Sequence, residues 1–130
     1  MNLKNSLIGL LLMAVSAGAM AEWTKIGGTA NYDEYADLST IRKSGGTAKM
    51  WVLTDYKKAQ TTHNGKSFLS IMVRHEYDCN EEKIRSLSLY GYEGNMKNGD
   101  KVGGDDTGEW KSILPESVGE AHFKIACGAK

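Results

Sequence analysis

The sequence predicts an α+β fold, an antiparallel sheet closed by a single C-terminal helix, on three observations. Glycine and asparagine pairs (Gly27-Gly28, Gly45-Gly46, Asn64-Gly65, Gly94-Asn95, Asn98-Gly99, Gly103-Gly104) punctuate the chain at short intervals, with Pro115 the only proline. These residues supply the positive φ angles of tight turns. The segments between them are short and rich in β-branched and aromatic residues, as in hairpin-built sheets. Only after Pro115 does the apolar period lengthen from two to that of a helix. No internal repeat or low-complexity linker divides the chain, so one domain is expected.

Residues 1–21 read as a signal peptide. Lys4 opens a weakly positive start, an apolar stretch follows from Leu7 to Val15, and Ala19-Met20-Ala21 offers small residues for cleavage before Glu22. The apolar stretch is shorter than the roughly 20 residues of a spanning helix. No cysteine lies near the cleavage site, so a lipoprotein anchor is not expected, and no later segment is apolar enough to span a membrane. The expected domain is therefore 22–130, periplasmic or secreted, with cell-surface association open. Losing Lys4 leaves 15 basic against 16 acidic side chains. That balance argues against nucleic acid or an anionic membrane as a main partner. Two cysteines in an exported chain are expected to pair, and Cys79 with Cys127 would close a loop of 48 residues. Buried free thiols are the alternative.

The elements follow in order. Strands are expected over 23–27 and 29–35, then one helical turn over 37–41, where Asp37 and Ser39 suit a cap. A third strand covers 47–56, with Ala48, Met50, Val52, Thr54 and Tyr56 on one face and Lys49, Trp51, Leu53 and Asp55 on the other. A polar loop, 57–66, leads to the longest strand, 67–79. There Leu69, Ile71, Val73, His75, Tyr77 and Cys79 share one face, and Phe68, Ser70, Met72, Arg74, Glu76 and Asp78 share the other. Its partner returns over 83–92. Short strands are expected at 96–102 and 109–113. Ser117 and Glu120 then form a capping box. Val118, Ala121 and Ile125 recur at helical spacing, Phe123 precedes Cys127 by four residues, and Gly128 suits a C-cap.

The chain resembles the surface-adhesin protein E family of small exported bacterial domains. The matching features are Trp23, Tyr35-Ala36-Asp37-Leu38-Ser39-Thr40-Ile41 and Met50-Trp51-Val52-Leu53-Thr54-Asp55-Tyr56. Further on come Glu76-Tyr77-Asp78-Cys79, Arg85, Trp110, Pro115-Glu116-Ser117 and the C-terminal Cys127. The resemblance implies a curved antiparallel sheet of about six strands, with the helix held on its concave face by a Cys79–Cys127 disulfide. It also implies a role in binding other proteins.

Enzymatic chemistry finds little footing. His63, His75 and His122 lack the local spacing of a zinc site. His122 would approach His75 if it faced the sheet, and the bland reading is a packed histidine. Arg74, Glu76 and Asp78 face Arg85 and Lys83 across two strands, which reads as ion pairing. The stretch 94–108 lacks calcium-loop spacing and reads as a mobile hairpin connection. No serine sits in a nucleophile elbow. The expectation is a non-enzymatic exported binding module with no catalytic, cofactor or metal residues. Its protein partner and oligomeric state are open. The alternative is a periplasmic inhibitor or accessory protein, such as a lysozyme-inhibitor-like module, using 94–108 as a protruding loop.

Overall fold

A computed structural model of the chain describes residues 22–105 and 108–129, and the signal peptide expected over 1–21 lies outside the described residues. Among the described residues, seven strands form one antiparallel sheet: β1 (Thr24–Gly28), β2 (Tyr32–Ser44), β3 (Thr47–Thr61), β4 (Ser67–Asp78), β5 (Lys83–Tyr92), β6 (Lys101–Asp105) and β7 (Lys111–Ser112). Strands β1 to β6 lie side by side in chain order, and β7 pairs with the start of β5 on the same edge as β6. Each of the five successive pairings from β1 to β6 carries a register irregularity. Such bulges bend and twist the strands that carry them. One helix, α1 (Val118–Gly128), packs against the inner face of β1 to β4.

Alternation places the core. Ala36, Ala48, Met50, Val52, Val73 and Tyr77 point inward and bury against Ala126, with Phe123, Ile125, Cys79 and Cys127 packed around them. Cys79, at the end of β4, is bonded to Cys127 in the last turn of α1, with Cα atoms 5.7 Å apart. The bridge therefore fastens the helix to the sheet where both bury their apolar sides.

The helix start follows its capping signal. The Ser117 hydroxyl accepts from the Glu120 amide at 3.1 Å. The reciprocal half is displaced by one residue, because the Glu120 carboxylate accepts from the Glu116 amide instead. At the other end Gly128 remains helical and Ala129 is the cap. Lys43 on β2 donates to the Cys127 and Ala129 carbonyls, both at 2.8 Å. A distant cation thus satisfies carbonyls that the helix end leaves open and complements its dipole.

Four expectations are corrected. Residues 37–41 form no helical turn but an irregular stretch inside β2. Asp37 Oδ1 accepts from both the amide and the hydroxyl of Ser39, and Thr40 Oγ1 donates to the Asp37 carbonyl while accepting from the Trp51 amide. Asp and Ser make the same local hydrogen bonds at bulges as at caps. Strand β3 runs on to Thr61, through half of the expected polar loop. Phe68 lies with Tyr56 and Ile71 at the inner face rather than with Ser70, since the register shifts between Asp55 and Gln60. Finally, the 94–108 connection is not a free loop through Asp105, and the strand expected at 96–102 lies later, as β6 paired with β5. A 3-10 turn (Asn95–Lys97) lies on the outer face, with Met96 N and Asn95 Nδ2 donating to Asp55 Oδ1 and Ser70 Oγ donating to the Gly94 carbonyl. Ser70 is fully buried beneath it.

Candidate functional site: a cleft between helix and sheet

Helix α1 covers only part of the inner face, and a cleft of about 440 Å³ opens between its first turns and the sheet. That volume lies within the roughly 300–1,000 Å³ typical of small-molecule sites. Pairing assembles its floor: Glu34 lies opposite Thr54, Thr54 opposite Ile71, and His75 opposite Ser86. Apolar side chains Val52, Val73 and Leu89 fill the space between them, and Val118, Gly119 and His122 form the helix wall. A second hollow of about 410 Å³ shares Ile71 and Leu89 with it and extends the inner face toward His63 and Phe68.

The polar groups of the cleft form a short chain. Thr54 Oγ1 donates to Glu34 Oε1 at 2.7 Å. His122 Nε2 stands 3.3 Å from Glu34 Oε2, linking the helix to β2 through a nearly buried pair. Three further atoms, His75 Nδ1, His122 Nδ1 and the Tyr77 hydroxyl, are buried without a protein partner. Buried polar atoms are nearly always paired, so three around one cleft are unusual.

Burial sets the protonation of two of these groups. It lowers the His75 pKa to about 4, helped by the charge of His122 and opposed by a hydrogen bond with the Arg85 backbone. Burial likewise pushes the Tyr77 phenol well above its ordinary value, with the Glu34 charge adding to the effect. Near pH 7 both are neutral. Because the folded His75 pKa lies below the unfolded 6.5, the folded state binds fewer protons between these values. Its contribution to stability is complete above about pH 6.5 and is lost as pH falls toward 4. The loss should approach about 3 kcal/mol. Urea unfolding at pH 7 and pH 4.5 checks this: His75→Leu should lose distinctly less stability over that interval than the parent protein.

The sequence-singled residues separate. Cys79 and Cys127 are bonded to each other, and His75 and His122 meet at the cleft. His63 sits exposed on the β3–β4 turn. Arg85 pairs with Glu76 at 2.6 Å, with its guanidinium over the Trp110 ring. Asp78 instead accepts from the amides of Asn80 and Glu81. Glu34, Thr54 and Tyr77 carried no functional reading in the sequence. The available signal was Glu34, a carboxylate two residues before Ala36 and therefore on the apolar face of β2. A carboxylate beside an imidazole can orient a general base, but among the described residues no serine or threonine hydroxyl bonds to either ring. Nor do those residues contain a His, Cys, Asp and Glu grouping able to hold a metal ion.

This is a small disulfide-stapled domain, a bent antiparallel meander carrying one helix and a cleft on its inner face. The chain belongs to the surface-adhesin protein E family, whose pattern matches residues 23–128. Solved structures of Haemophilus influenzae protein E share the fold. Its crystal form II superposes with a TM-score of 0.62 at 11% identity, covering 85% of this chain and 97% of that one. Protein E from non-typeable Haemophilus influenzae gives 0.61 at 12% identity, covering 85% and 78%. A search of curated proteins finds no match.

Proposed function

We propose that the domain is a non-enzymatic exported binding module that engages another protein, either of a host's extracellular material or of the cell envelope. Membership of the surface-adhesin protein E family across 23–128 carries this reading. The surface is consistent with it. Trp110 remains 36% exposed with Arg85 stacked on its ring, and Leu114, four residues on, is 71% exposed. Tryptophan and arginine are the residues most enriched at the energetic centres of protein interfaces. No described helix is long and apolar enough to cross a membrane.

The inhibitor reading requires a protruding loop, and of the expected loop residues 94–99 are folded onto the outer face and 101–105 pair with β5 as β6. The two readings separate by location. Protease treatment of intact cells, followed by fractionation, should degrade the protein from outside if it is a displayed adhesin. A pool protected until the outer membrane is permeabilised, joined to stoichiometric inhibition of lysozyme, would favour the inhibitor instead.

A further inference from the structure

The structure points to a ligand function for the cleft that is independent of protein adhesion. We propose that it binds a small organic cation, a primary-ammonium head group on an apolar body. His122 is 3% exposed and Tyr77 fully buried; both line the cleft, as does His75, and each holds a buried polar atom without a protein partner. An unpaired polar atom beneath the surface is unfavourable, so a site holding three is poised for a hydrogen-bonding guest.

The bonds already made say which guest. His75 Nδ1 has no protein partner and is an acceptor in one tautomer of the neutral ring. His122 directs Nε2 at Glu34, so its Nδ1 is an acceptor whenever that ring is neutral. The Glu34 carboxylate accepts one hydrogen bond from Thr54 and faces one imidazole nitrogen, which leaves lone pairs unused. Glu34 thus adds negative charge to a set of acceptors, and the Tyr77 hydroxyl accepts as readily as it donates. An ammonium group brings three donors and the opposite charge. Val52, Val73, Ile71 and Leu89 offer the apolar floor for the rest of the molecule. An anion would meet the Glu34 carboxylate, and is disfavoured.

Amide-resolved NMR titration of the isotope-labelled, oxidised protein tests this with three probes of one shape: 2-phenylethylammonium, 2-phenylethanol and phenylacetate. The ammonium should give saturable shifts at Val73, His75, Leu89 and Gly119, and should bind at least about tenfold more tightly than phenylacetate. Glu34→Gln should remove the preference for the ammonium over the alcohol. Gly119→Leu should abolish binding while keeping the fold, because a Cβ there meets only Ser117 Oγ at an ordinary 3.6 Å and helix propensity rises. The proposal is overturned if the ammonium gives no saturable shift, if phenylacetate binds as tightly, or if folded Gly119→Leu binds unchanged.

Discussion

Replacing either cysteine, as Cys79→Ser or Cys127→Ser, is expected to lower the melting temperature by roughly 15–25 °C. The bridge closes a loop with a sequence separation of 48. In the chain-entropy account its loss returns about 4 kcal/mol of freedom to the unfolded chain. Small domains are stable by only about 5–15 kcal/mol, so this is a large share. The loss should also be local. Helix α1 has 11 residues, short of the length at which an isolated helix holds in water, and it is kept in place by packing, the bridge and Lys43. Thermal melting with and without reductant checks the magnitude. Amide exchange checks the place: residues of α1 should lose protection well before those of β3 and β4. An unchanged melting temperature would remove the bridge from the energetics.

Tyr77→Ala is expected to destabilise the fold by about 3–5 kcal/mol, the range for deleting a buried aromatic side chain. Tyr77 is fully buried on β4, with its ring against Phe123 of α1 at 6.3 Å and His75 at 5.9 Å between centroids. Removal of the ring opens a cavity at the junction of sheet, helix and disulfide. Tyr77→Phe keeps the ring and deletes only the hydroxyl, which has no protein partner. Since nothing is left unpaired by its loss, that variant should match or exceed the parent stability. Chemical denaturation of both variants separates the two contributions. A Tyr77→Phe loss as large as that of Tyr77→Ala would mean that the hydroxyl, and not the ring, is what the core needs.

The parts legible in the sequence are those set by local periodicity. Alternation placed Cys79, Tyr77, Val73 and Ile71 on one face of β4, and helical spacing placed Cys127 with Phe123 on one side of α1, so the bridge and the core followed. The illegible parts depend on partners distant in sequence. Asp55 and Ser70 clasp the 94–99 turn from strands 24 to 41 residues away, and no local pattern announces such a contact. Phe68 changes face because β3 and β4 slip in register, which neither strand reveals alone. Residues 37–41 misled because Asp37 and Ser39 make the same short-range hydrogen bonds at a strand bulge as at a helix start. The cleft needed register most of all. His75 and His122 were visible as candidates, but Glu34 joins them only through the β2–β3 pairing and the docking of α1.

The central claim is that this domain recognises another protein through its surface. Saturation binding of the immobilised, oxidised protein to purified extracellular-matrix and envelope proteins tests it most directly, with a Trp110→Ala/Leu114→Ser double variant alongside. The account predicts saturable binding to at least one of them, weakened at least about tenfold in the folded double variant, as expected for an interface anchor. A complete panel without saturable binding would contradict it.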